Sequence, residues 1–183
     1  DHKYLYQELA RELMNHLERG KDLLQTLSES AKYREDYEFR TIIETTRALY
    51  LKRMGKYSEA LTLSEKLVEQ AEALELWNLV SINLNLKGTT YFDIGLNERS
   101  LESYHHAIRN EKAHGLTGMT SLLYNNLAVL FANVMDYEKG YEYQLLAIET
   151  LERGDKDSPL YFENLMIRTT NLIIYMCFTG RLD

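Results

Sequence analysis

The feature of this 183-residue chain that most restricts its fold is an internal repeat of 40 residues. Gly55, Gly95 and Met135 recur at that interval, and around each the chain repeats an apolar helical pattern, a tight turn and a second helical pattern. Self-similarity at such a period is typical of stacked helix pairs, in which each repeat packs mainly on its neighbours. The repeat therefore predicts a quasi-one-dimensional helical array, with aligned units at 41–71, 81–111 and 121–151.

Composition favours an all-α fold. The chain holds one proline and nine glycines, so few residues interrupt a sequence that is rich in good helix formers. Small residues recur at one position in each helix of the repeat, and we expect these positions to face each other where the paired helices approach closely. They are Ala48, Gly88 and Ala128 in the first helix and Ala60, Ser100 and Gly140 in the second.

Outside the central repeats the pattern is less regular. Residues 1–38 are predicted to form a capping pair, with helices at about 3–17 and 21–31 that are broken at Gly20. At the other end, Ser158 and Pro159 suit the N-cap and first position of a last helix. We expect one domain over 1–183 and about nine helices, with repeats at 39–75, 76–115 and 116–154 and a truncated repeat at 158–183.

The last residues align with a repeat turn, and this bears on the extent of the protein. Residues 178–183 match 53–58, where the second helix of a repeat is due to begin. Because an unpaired amphipathic helix leaves an apolar stripe in water, we expect the natural polypeptide to be longer.

Charge and cysteine content exclude several classes of function. The formal net charge is −7 and no Lys/Arg cluster offsets it, so direct binding of nucleic acid is not expected. The single cysteine, Cys177, excludes an internal disulfide framework and a multi-cysteine zinc site. No run of eighteen apolar residues and no signal peptide is present, which predicts a cytoplasmic protein without membrane contact.

The repeat resembles the tetratricopeptide (TPR) repeat, whose signature is W-x₂-L-G-x₂-Y followed by A-x₃-F. It departs from that family in its period, which is 40 rather than ~34 residues, and in lacking the terminal proline of each central unit. HEAT and armadillo repeats, with ~40-residue periods, are the structural alternative. The matching residues in the third unit are Tyr124, Leu127, Ala128, Phe131, Tyr137 and Gly140.

The resemblance implies a TPR-like α-solenoid of antiparallel helix pairs in which the first helices line a concave groove. An amide side chain both donates and accepts hydrogen bonds, so it suits the backbone of an extended peptide. A Lys-Arg pair further along the groove is a candidate to receive a carboxylate. The alternatives are a solvated surface and hydrogen bonds between neighbouring helices. The candidate ligand-binding residues are Thr45, Asn85, Asn125, Asn126, Asn171, Lys52, Arg53 and Phe92.

Catalytic chemistry is not expected in this segment. The histidines His105, His106 and His114 lack a metal-binding spacing, and the chain holds neither H-E-x-x-H nor a glycine-rich nucleotide loop. The sequence predicts no catalytic residue, no metal and no cofactor.

The resulting functional prediction is a protein- or peptide-binding module of a cytoplasmic bacterial regulatory or signalling protein. Long, proline-poor TPR arrays of this type are found beside output domains such as a helix-turn-helix. One alternative is the sensor arm of a signalling enzyme, such as a GGDEF nucleotide cyclase, with its catalytic domain outside this segment. A second alternative is a structural array that forms a homodimer.

Overall fold

The structure is a computed structural model that describes residues 5–154, 156, 158 and 160–182. These residues separate into two compact units, unit 1 at 1–96 and unit 2 at 97–183. The boundary falls inside the predicted repeat 76–115, so each helix of that repeat is described with its own unit. The assignment of one domain to the whole chain stays a prediction.

Unit 1 contains six helices. A capping segment of three helices precedes three long helices, each of 17 residues. The extra, one-turn helix α3 brings the described total in both units to ten, one more than the sequence suggested. The bounds are α1 (Leu5–Asn15), α2 (Leu17–Glu29), α3 (Ala31–Glu35), α4 (Tyr37–Arg53), α5 (Tyr57–Ala73) and α6 (Trp77–Asp93).

The prediction that Gly20 separates the first two helices is wrong. The chain breaks at His16, which has φ −143, and Gly20 lies buried inside α2. A Cβ atom at Gly20 would lie 2.5 Å from Leu13 Cδ2, so the glycine is required for the close approach of α1 and α2. Its role is packing rather than helix termination.

The core of unit 1 is formed where α4, α5 and α6 meet. Ala48, Leu67 and Leu86 form a buried cluster against which Leu49 and Leu63 pack. Ala48 and Ala60, the predicted small residues of this repeat, are both fully buried. At the start of α4, Asp36 Oδ1 accepts a hydrogen bond from Phe39 N at 2.9 Å, which satisfies one of the backbone donors exposed at a helix N-terminus.

Unit 2 contains four helices, and its closest pairing joins α8 and α9. Gly140 lies opposite Ala128, and a Cβ atom on Gly140 would lie 3.3 Å from the Ala128 carbonyl oxygen. The small-residue pair therefore has the predicted effect of allowing close approach in this hairpin. The bounds are α7 (Asn97–Ala113), α8 (Thr120–Asn133), α9 (Tyr137–Glu152) and α10 (Tyr161–Phe178).

The repeat turns share one backbone conformation. Gly55 and Gly95 adopt φ +73 and +77, and Met135 adopts φ 63 at the same place in the repeat. Gly180 has φ +67, and Arg181 N donates to Met176 O at 2.9 Å as Lys56 N donates to Leu51 O. The 40-residue register read from the sequence is thus confirmed by the positions of the turns.

The last helix begins later than the sequence suggested. Its N-cap is Leu160 rather than Ser158, and the Ser158 carbonyl accepts a hydrogen bond from Tyr161 N at 2.9 Å. The position predicted for Pro159 lies outside the described residues.

The described residues form an all-α fold in which consecutive helices within each unit pack as antiparallel pairs, as predicted. None of the described helices is long and apolar enough to cross a membrane.

Candidate interaction site

Thr45 forms a hydrogen bond between helices in unit 1. The hydroxyl of Thr45 on α4 accepts from Asn83 Nδ2 on α6 at 2.9 Å, and the same nitrogen donates to the Leu79 carbonyl at 2.9 Å. Thr45 and Asn83 are both fully buried. A ligand would have to displace α6 to contact the hydroxyl, so the prediction that Thr45 faces a groove is corrected by its burial.

The basic residues predicted to receive a carboxylate are engaged within unit 1. Lys52 Nζ lies 3.2 Å from Asp93 Oδ2, an ion pair that joins α4 to α6. Arg53 is exposed, and its guanidinium NH1 lies 2.8 Å from the sulfur of Met14 on α1. Arg47 pairs with Glu44 at 3.2 Å. An incoming carboxylate would therefore have to compete with Asp93 for Lys52.

Asn85 and Phe92 lie on α6 with half-buried side chains. Asn85 occupies the same repeat position as Thr45 but retains partial exposure. Phe92 lies two turns further along the same helix. Of the predicted residues in unit 1, Asn85, Phe92 and Lys52 are half-buried, Arg53 is exposed and Thr45 is fully buried.

In unit 2 the predicted asparagines converge. Asn125 on α8 is half-buried, and its Oδ1 accepts from Gln144 Nε2 on α9 and from Asn171 Nδ2 on α10, each at 3.3 Å. Gln144 is fully buried, whereas Asn126 and Asn171 are half-buried. The two hydrogen bonds to this oxygen thus join α8 to α9 and α10 and fix the plane of the Asn125 amide.

The start of α8 depends on a buried carboxylate that sequence reasoning missed. Glu111 on α7 is 1% exposed, and its Oε2 accepts from Met119 N at 3.0 Å and from Thr120 Oγ1 at 3.3 Å. A negative charge at a helix N-terminus is stabilised by the helix dipole and by the first backbone donors. The segment between α7 and α8 is longer than the turns inside the repeats, and this length is a sequence signal for such a cap.

Two other functional positions were missed for a different reason. Asn83 replaces an apolar residue of the repeat, since Ile43 and Leu123 share its register, whereas Gln144 shares its register with Ser64 and Tyr104. A polar residue at a core position of a repeat signals a buried hydrogen bond. Comparison of the units position by position would have found Asn83.

The histidines take structural roles in unit 2. His114 Nδ1 lies 3.0 Å from the Asn110 carbonyl, and the ring of His105 lies 6.5 Å from that of Tyr143. Burial lowers the pKa of His105, and the positive charge of Arg109 lowers it further. Within the described part of the chain, no three His, Cys, Asp or Glu side chains are grouped so that they could hold a metal ion.

The antiparallel helix pairs, the turn residues with positive φ and the contacts between small residues are together typical of a TPR-like helical repeat protein. Among solved structures, the chain is similar to BtubC (BKLC) from P. vanneervenii, with a TM-score of 0.71 and 18% sequence identity. The match covers 96% of this chain and 72% of that one. At this identity the likeness shows the fold. No protein-family model matches the sequence, and no curated protein matches it.

Proposed function

We propose that this chain is a protein-interaction module that binds an extended peptide segment of another protein. The observation that carries the proposal is the fixed amide of Asn125. Its oxygen holds the donors of Gln144 and Asn171, while its Nδ2 takes no part in those two bonds. An oriented donor on a half-buried helix face suits a peptide carbonyl, because the entropy of ordering the side chain is already lost before binding.

The neighbouring polar residues extend this surface within unit 2. Asn126 follows Asn125 on α8, and Asn171 lies on α10 with partial exposure. In unit 1, Asn85 is the half-buried amide at the repeat position of Asn125. Amides recognise the backbone of a ligand rather than a particular side-chain charge, so we expect broad sequence tolerance in the peptide.

The wider setting is proposed from the TPR resemblance and the composition. We propose that the module serves a bacterial regulatory or signalling polypeptide in the cytoplasm and that the segment has no catalytic activity of its own. The contacts of His105 with Tyr143 and of His114 with the Asn110 carbonyl support the proposal that the segment has no catalytic activity. The net charge of −7 supports a protein ligand over a nucleic acid.

The test replaces Asn125 by Asp. This change keeps an oxygen to accept from Gln144 and Asn171 but turns the Nδ2 donor into a second acceptor. Peptides selected from a random library displayed on phage serve as probes, and their affinities are measured by calorimetry. We expect Asn125→Asp to weaken binding by about two- to tenfold, the effect of one lost hydrogen bond, with little change in the urea midpoint.

Asn133→Asp is the matched control, because it introduces the same charge at the exposed end of α8. This control should bind like the parent. Equal affinities for all three proteins would remove Asn125 from the site. Failure of the library to yield any specific peptide would count against peptide binding altogether.

A further inference from the structure

A cleft in unit 1 lies between the first half of α4 and the last half of α5. Its volume is about 270 Å³, just below the roughly 300–1,000 Å³ of pockets that hold drug-sized molecules. A ligand of this cleft is therefore small. The lining includes Tyr37, Arg40, Glu44, Leu67, Gln70 and Leu74.

Arg40 is a half-buried cation whose orientation is fixed by its neighbours. Its Nε donates to the Tyr33 carbonyl at 2.9 Å and its NH2 donates to the Arg34 carbonyl at 2.6 Å, so both bonds tie the guanidinium to the backbone of α3. The guanidinium carbon also lies over the ring of Tyr37, 5.0 Å from its centroid. Neither hydrogen bond uses the NH1 nitrogen, and backbone carbonyls do not neutralise the charge of the guanidinium.

Glu44, the other charged side chain of the cleft, is already paired. Its Oε1 accepts from the Tyr33 hydroxyl at 2.7 Å and from Arg47 Nε at 3.2 Å. Among the ion pairs of the described residues, none includes Arg40. One positive charge in the cleft therefore remains for an anionic ligand.

The side of the cleft that α5 provides is largely apolar. Leu67 is 1% exposed, whereas Leu74, the C-cap residue of α5, is 44% exposed. The polar residue between them, Gln70, is neutral. The complementary ligand thus has a planar anionic head, which a guanidinium binds through parallel hydrogen bonds, and a short apolar body that packs on the leucines.

We propose that the cleft between α4 and α5 binds a small monocarboxylate with an apolar body and that Arg40 holds the carboxylate. A peptide with an apolar last residue offers the same two groups, but the small volume favours a free acid, which the cleft can hold whole. The cleft belongs to unit 1 and the Asn125 surface to unit 2, so this inference does not depend on the proposed function.

The first experiment titrates the isotope-labelled chain with isocaproate and follows the backbone amide shifts by NMR. We expect saturable shifts at Thr41, Gln70 and Leu74, which line the cleft. Acetate lacks the apolar body and isocaproamide lacks the charge. Each should bind at least about tenfold more weakly, because one loses buried apolar surface and the other loses hydrogen bonds between charged groups.

The second experiment changes the charge of the cleft. Arg40→Gln should weaken isocaproate binding at least about tenfold, and circular dichroism checks its folding because Arg40 also supports α3. Gln70 is exposed, so its variants should fold like the parent. Gln70→Glu should weaken binding and Gln70→Lys should strengthen it, each by about two- to fivefold. Gln7→Glu, at an exposed position of α1 outside the cleft, is the matched control and should bind like the parent.

Several outcomes would overturn the proposal. Absence of saturable shifts, or shifts confined to other parts of the chain, would show that the cleft binds no such acid. Equal affinities for isocaproate and isocaproamide would show apolar contact without recognition of the carboxylate. Tighter binding of acetyl-Gly-Gly-Leu than of isocaproate at the same amides would assign the cleft to the C-terminus of a peptide. Equal affinities for the parent and both Gln70 variants would place the anion away from Arg40, even if Arg40→Gln failed to fold.

Discussion

Two turn residues adopt a backbone conformation that their side chains disfavour. Glu75 and Met135 have φ 55 and 63, in the left-handed region where glycine is the common residue. Met135 stands at the repeat position of Gly55 and Gly95 and is 80% exposed. Its side chain therefore gains little from packing to offset the cost of the backbone, which is about 1 kcal/mol or more.

Replacement of Met135 by Gly should therefore stabilise the chain. We expect the free energy of unfolding to rise by about 0.5–1 kcal/mol, since the relief of strain exceeds the added entropy of a glycine in the unfolded state. Urea denaturation followed by circular dichroism measures the change. Val134→Gly is the control, because φ −98 suits valine and glycine gains nothing there. A loss of stability in both variants would contradict the prediction that the backbone of Met135 is strained.

Individual residues also show what can and cannot be predicted from the sequence. The repeat register correctly placed the turns at Gly55, Gly95 and Met135, because glycine and tight spacing are local signals. It placed Thr45 and Asn85 at equivalent positions, yet Thr45 is buried and Asn85 is half-exposed. Thr45 is buried against α6, where Asn83, 38 residues away, donates a hydrogen bond to it. Such a contact between helices cannot be predicted from the periodicity of either helix.

Paired helices approach each other closely at the positions where the sequence has small residues. In unit 2 the close approach of α8 and α9 brings Gly140 against the backbone of Ala128. In unit 1 the sequence predicts a helix break at Gly20, but this glycine lies inside α2 at a close contact with α1. A lone glycine in a non-repeating segment marks either a break or a close contact, and only the three-dimensional packing distinguishes them.

Ala128→Leu tests the hairpin of α8 and α9. Ala128 is fully buried, so a larger side chain should separate the helices and destabilise the chain by about 1–3 kcal/mol, as overpacking does. Thermal melting measures the effect. Ala113→Leu, at the exposed end of α7, is the control and should melt like the parent. Equal melting temperatures for the two variants would mean that Ala128 is not at a close contact.

At the scale of the whole molecule, tyrosines whose pKa is raised by burial make stability sensitive to alkaline pH. Burial raises the pKa of Tyr175, which is 5% exposed, and burial raises the pKa of Tyr6 to about 12. A phenol whose pKa is higher in the folded chain than in the unfolded chain stabilises the fold below the unfolded value of 10.0. That contribution is lost as the pH rises through the folded value.

The free energy of unfolding should therefore fall as the pH rises from 10 toward about 12. Urea denaturation at a series of pH values measures the slope, and absorbance of the phenolate follows the titration. Tyr175→Phe should show a shallower fall than the parent, because one of the shifted groups is absent. An identical slope in the two proteins would show that Tyr175 titrates alike in the folded and unfolded chains.

The buried cap of Glu111 couples the folding of α7 to that of α8. Because the carboxylate comes from α7 and the backbone donor it satisfies begins α8, the first turn of α8 is stabilised only while α7 is formed. In a nearest-neighbour description of unfolding, the coupling free energy between adjacent helices thus has two parts. One comes from buried apolar surface and the other from this helix cap. Fraying of α7 would remove the acceptor for the first turn of α8, and loss of α8 would remove the donors to Glu111, so unfolding of either helix weakens the other.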